Sequence, residues 1–137
     1  MNERQFCVLA VDDSLDILEI IQLALEAKTD WRIVTSPSPK EAIVRAARER
    51  PDIILLDVRM PKIDGIETVK KLLACPKTKN IPVLFLTDTP VIISSALIEE
   101  LGTISVIKKP SNWFNLANLI TLSLRSLSLK PRNIPDD

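Results

Sequence analysis

Two carboxylates stand side by side in the stretch VLAVDDSLDI, residues 8–17: Asp12 and Asp13 end a run apolar enough to be a buried strand. Adjacent like charges repel, so something of opposite sign must offset them. Three more polar groups hold the same kind of place, each at the end of an apolar run: Asp57 after IILL, Thr87 after VLFL, and Lys109, ahead of Pro110, after SVI. Taken singly, each is what any strand end shows on reaching water; the set is what argues for a site. If the runs are parallel strands of one sheet, their carboxyl ends share the edge at which ligands bind in open α/β sheets. Three carboxylates, a hydroxyl and an ammonium then meet. Carboxylates brought together resist ionisation unless a cation offsets them, and oxygen-only ligands favour a hard ion such as magnesium. Lys109 can neutralise what charge remains. Histidine is absent from the chain, which removes the usual zinc ligands, the usual general base and any histidine-centred phosphorelay step.

The elements that must position these groups are legible in the hydrophobic pattern. FCVLAV (6–11), IILL (53–56), VLFL (83–86) and SVI (105–107) read as strands buried on both faces, with WRIVT (31–35) a fifth. Helical patterns lie between them. The first runs from Ser14, a candidate cap, to about Ala27, with Leu18, Ile21 and Leu25 on one stripe. The second has a full start signal in SPKE, Ser38 as cap, Pro39 at the first helical position and Glu41 after them, and Pro51 ends it. The third begins at Asp64 with Glu67 three residues on and stops at Cys75 before Pro76; the fourth lies between Pro90 and Gly102; the fifth runs from about Asn112 to Leu127. Five alternations of strand and helix predict an α/β fold with a five-stranded parallel sheet covered by helices on both faces. Residues 1–127 make one domain, and LKPRNIPDD closes the chain as a loose polar tail, 128–137.

Composition narrows the function classes. Of 137 residues, 46% are apolar, enough for one core. Lys and Arg number 18 against 18 Asp and Glu, so bulk charge implies neither direct nucleic-acid binding nor attraction to an anionic membrane. Cys7 and Cys75 match no metal or redox spacing and read as filler. MNERQF is no secretion signal and no apolar run approaches membrane-spanning length, so a cytoplasmic location is expected.

As a set, VDD, LLDVRMPKIDG, LTD and KKP resemble the receiver domain of bacterial two-component response regulators, over roughly residues 5–127. The resemblance implies a flavodoxin-like strand order, 2-1-3-4-5, and assigns roles. Asp57 would be the phosphoacceptor, taking a phosphoryl group from a sensor histidine kinase or histidine phosphotransfer protein. Asp13, Asp57 and the backbone carbonyl of Arg59 would hold magnesium, with Asp12 acting directly or through water. Thr87 would donate a hydrogen bond to the phosphoryl oxygen, and Lys109 would supply positive charge. Such a protein catalyses its own phosphorylation and dephosphorylation and is otherwise no enzyme. The Lys109–Pro110 bond is commonly cis in the family.

The switch implied by the resemblance pulls Thr87 toward the phosphoryl group and repacks the fourth helix and fifth strand. Helix four, strand five and helix five would then form the surface for a downstream partner or a second copy, with Val91 and Ile98 as candidate exposed positions and Phe114 and Leu122 outside the buried stripe of the last helix. Two positions depart from the family pattern. Val106 replaces an aromatic that often moves with the threonine, and Asp88 stands where a small residue usually follows it. Arg59 and Thr89 occupy positions that in the family tend to set phosphoryl lifetime.

Three other readings fit parts of the pattern. A receiver-like interaction module that works without phosphorylation would explain Asp88 and Val106, but the five polar groups argue against it. An aspartate-nucleophile phosphohydrolase wants a second acid two residues after Asp57, where Arg59 stands. A flavin carrier would offer hydroxyls and amides, not Asp12 and Asp13, to its phosphate.

Overall fold

Strong apolar runs with no polar alternation make strands that must be covered on both faces, and the computed structural model has that arrangement. It describes residues 5–57, 65–88, 99 and 104–126. Five parallel strands, β1 (Cys7–Val11), β2 (Arg32–Ser36), β3 (Ile53–Asp57), β4 (Val83–Thr87) and β5 (Ile104–Lys108), form one sheet in the order β2-β1-β3-β4-β5. This is the flavodoxin-like order that the resemblance implied. The expected fourth helix with Val91 and Ile98, the positions Arg59, Asp64, Thr89 and Gly102, and the tail 128–137 lie outside the described residues.

The three central strands are buried at every position. The two edge strands are not: β2 alternates, with Arg32 exposed and Val34 and Ser36 buried, and in β5 Ser105 and Val106 are half-buried and Lys108 is exposed. SVI still serves both layers, Val106 packing against one core and Ile107 within the other, but more loosely than the central strands because β5 has a neighbouring strand on one side only.

One core layer holds Leu9, Val11, Leu56 and Phe85 against Ala42 and Ala46 of α2 (Pro39–Glu49) and Val69 and Leu72 of α3 (Gly65–Leu73). The other packs Val8, Ala10, Leu55 and Leu84 against Leu18, Ile21 and Leu25 of α1 (Leu15–Lys28) and Leu116, Ile120 and Leu124 of the C-terminal helix (Leu116–Ser126). Alternate residues of each central strand thus serve opposite layers, as a period of two requires. Phe6 and Trp31 close the second layer with rings 4.7 Å apart at 56°.

Local signals act as the residue types require. Ser14 Oγ accepts from Ile17 N at 3.3 Å to cap α1, and Ser38 Oγ accepts from Glu41 N at 3.2 Å to cap α2, each contributing about 1 kcal/mol. Helix α2 ends at Glu49, two residues before the expected stop at Pro51, with Arg50 in the left-handed region at φ 51°. Helix α3 ends at Leu73, short of the expected Cys75, and Thr78 Oγ1 donates to Leu72 O at 2.6 Å, satisfying a carbonyl of the last turn. Asp52 reaches back to β1: its Oδ2 accepts from Cys7 N at 2.7 Å and its own N–H donates to Cys7 O at 2.8 Å, which pins β1 against β3 at the amino edge. The C-terminal helix is entered through a 3₁₀ turn, Trp113–Asn115, capped by Asn112 Oδ1 on Phe114 N at 3.0 Å.

Candidate functional site

The carboxyl edge of the sheet collects the polar groups. Asp12 follows β1, Asp57 ends β3, Thr87 ends β4 and Lys109 follows β5. Pairing of Asp57 with Leu86 and of Thr87 with Lys108 sets the heights of the last three, and Lys109 N donates to Thr87 O at 2.8 Å. Carboxylate oxygens of Asp12, Asp13 and Asp57 lie within 4.8 Å of one another. Lys109 Nζ stands 3.8 Å from Asp57 Oδ2. Asp12, Asp57 and Thr87 are buried, whereas Asp13 is exposed.

Burial of two acids beside each other needs local compensation. Asp12 Oδ1 accepts from Ser14 N at 2.9 Å, the backbone amide at the start of α1, and Asp12 N donates to Ser36 O at 3.2 Å. These contacts fix the orientation of Asp12. Its other oxygen, Oδ2, is buried without a hydrogen-bond partner. Burial pushes the Asp12 carboxyl up to about 6; the Ser14 amide pulls it down, the neighbouring Asp57 raises it again and Lys109 lowers it. An orphaned oxygen, three converging carboxylates and no nitrogen or sulfur ligand fit a hard divalent cation.

Every sequence-predicted site residue within the described range therefore reaches one edge: Asp12, Asp13, Asp57, Thr87 and Lys109. The carbonyl of Arg59 lies outside the described residues. The Lys109–Pro110 bond is trans, in contrast to the cis state common in the family. Two features escaped the sequence reading. The Ser14 amide holds Asp12, although Asp-x-Ser ahead of a helix is a recognisable turn signal. Trp113, placed by its spacing on the buried stripe, is only half-buried, and with the exposed Phe114 it lines an open cavity of about 970 Å³ that reaches Lys109 and Asp88.

The sequence profile of the response regulator receiver domain matches residues 8–121. The alkaline phosphatase synthesis transcriptional regulatory protein PhoP of Bacillus subtilis is 36% identical over 110 residues, covering 80% of this chain and 43% of that protein. A transcriptional regulatory protein CpxR homolog of Haemophilus influenzae is 34% identical over 127 residues, covering 93% of this chain and 54% of its own. The chain thus spans about half the length of these curated relatives. Among solved structures, the chemotaxis protein CheY4 of Vibrio cholerae superposes with a TM-score of 0.77 at 29% identity, covering 88% of this chain and 100% of the other.

Proposed function

The chain belongs to the response regulator receiver domain family of two-component systems, and from that premise we propose that it accepts a phosphoryl group on Asp57 from a phosphohistidine of a partner kinase or phosphotransfer protein. The observation that carries the proposal is the placement of Asp57, with carboxylate oxygens of Asp12 and Asp13 within 4.8 Å and Lys109 Nζ at 3.8 Å. A carboxylate grouped with an acidic cluster and an ammonium suits a reaction whose transition state spreads negative charge and needs chiefly positioning.

Receiver domains bind magnesium through an acidic cluster, and Asp12, Asp13 and Asp57, with the carbonyl of Arg59, would hold the ion here. When bound, magnesium supplies positive charge that offsets the carboxylates and the incoming phosphoryl oxygens. The remaining steps fall to the chain. An oxygen of Asp57 forms a bond to phosphorus as the phosphorus–nitrogen bond breaks, and the imidazole nitrogen leaves with the electron pair. Lys109 draws charge from the transferred group, Thr87 donates a hydrogen bond to it, and Ser14 N keeps Asp12 turned into the cluster.

Receiver domains interact with histidine kinases and with downstream effectors. For this chain we place the phosphorylation-dependent contact surface on β5, the C-terminal helix and the segment between β4 and β5, where Leu122 is 52% exposed. The receiver unit would comprise residues 1–127, with 128–137 a tail, and work in the cytoplasm alongside its kinase. Among the described residues no helix is long and apolar enough to cross a membrane.

Incubation with magnesium and a small phosphodonor, followed by intact mass measurement, tests the reading. The parent should gain the mass of one phosphoryl group and Asp57→Asn should gain none. A gain in both would refute Asp57 as the acceptor, and a gain in neither would favour an interaction module that works without phosphate.

A further inference from the structure

Asp88 follows Thr87 directly, yet it is exposed where Asp12, Asp57 and Thr87 are buried. It is no member of the carboxylate group that gathers within 4.8 Å, so cation binding does not account for it. It lines the open cavity of about 970 Å³, in which Lys28, Lys108 and Lys109 supply the positive charges and Asp88 is the sole carboxylate among the described lining residues. Lys109 belongs to both places: it lines this cavity and reaches to 3.8 Å from Asp57. An anion that approaches Asp57 along Lys109 is drawn by the ammonium groups and repelled by Asp88.

We propose that Asp88 is a specificity-determining residue that disfavours small, multiply charged phosphodonors at Asp57 and so reserves the site for a phosphoryl group presented on a protein. The inference rests on Asp57 being the acceptor. Coulomb repulsion scales with donor charge, and one unit charge at roughly 8 Å in water-like surroundings changes an encounter about twofold for each charge on the donor. A protein donor offsets that repulsion through contacts remote from the reacting centre, which a free dianion lacks.

Two donors of different charge separate this effect from steric crowding. With acetyl phosphate, a dianion at neutral pH, an Asp57 oxygen bonds to phosphorus as the phosphorus–bridging-oxygen bond breaks, and acetate leaves with the electron pair. With phosphoramidate, a monoanion whose nitrogen is already protonated, the phosphorus–nitrogen bond breaks and ammonia leaves. Initial rates would be read by intact mass on the full chain with magnesium, at low and high ionic strength. Asp88→Asn should speed the reaction with acetyl phosphate about fourfold and with phosphoramidate about twofold, and added salt should close that gap. Asp88→Glu should keep the parent's ratio between donors. Equal acceleration with both donors, a gap that ignores salt, or no change on Asp88→Asn would overturn the proposal while leaving Asp57 as acceptor. Labelling of neither parent nor variant by either donor would overturn the acceptor assignment, and this inference with it.

Discussion

Lys109 Nζ and Asp57 Oδ2 face each other at 3.8 Å across the carboxyl ends of β5 and β3, with β4 between the two strands. The separation is long for a hydrogen-bonded pair and short for an electrostatic one, so Lys109 acts on Asp57 chiefly as a charge.

Removing that charge exposes what it offsets. Lys109→Met should destabilise the metal-free protein by about 1–2 kcal/mol at neutral pH, because three carboxylates then lack their ammonium, two of them buried. The loss should shrink when Asp57→Asn is also present. Urea unfolding of the two single variants and the double variant measures the coupling, and simple additivity would show that the two groups do not interact.

The pH dependence follows from Asp12. Its carboxyl ordinarily titrates at 3.8 and is pushed up to about 6 in the folded chain, chiefly by burial. A raised folded value means that the native state holds the proton more tightly than the unfolded chain. The resulting stabilisation is fully present below 3.8 and is lost as pH rises through about 6. Unfolding in the presence of a chelator should therefore show the Asp12 contribution falling between those values, and Asp12→Asn should flatten that part of the profile. A parent and variant with parallel profiles would rule out Asp12 as the origin.

Thr78 offers a test far from the chemistry. It is 1% exposed, and its hydroxyl donates to Leu72 O at 2.6 Å at the end of α3. Thr78→Val should cost about 1 kcal/mol by leaving Leu72 O only its longer bond from Cys75 N at 3.3 Å, and Thr78→Ser should restore most of the loss. Phosphorylation per folded molecule should stay at the parent's rate in both, since Thr78 lies beyond the far end of α3 from the loop that follows Asp57. A fall in that rate would show that α3 transmits to the site.

What could be read from sequence, and what could not, divides along a physical line. Asp12, Asp13, Asp57, Thr87 and Lys109 were legible because each ends a run of one strand's length, and parallel strands bring such ends to one edge. Capping by Ser14 and Ser38 was legible because it is settled within four residues. The partial exposure of β5 was not, since SVI is as apolar as a central strand and only the order of strands makes it an edge. Nor was the return of Asp52 to Cys7 N, or of Thr78 to Leu72 O, because both depend on where a loop comes back in space. The cavity beside Lys109 was hidden for the same reason: Asp88 and Trp113 meet there only once β4 and the C-terminal helix are in place.

The order of strands along the chain also sets when the acidic edge is balanced as the chain emerges from a ribosome. The acidic cluster is complete once β3 has joined β1, but its ammonium comes from residue 109, past β5 and nearly at the last helix. A nascent or truncated chain that ends before that residue has the repelling carboxylates without their counter-ion. The carboxylates are therefore all synthesised before the charge that balances them, which ties the balancing of the acidic edge to the arrival of the fifth strand.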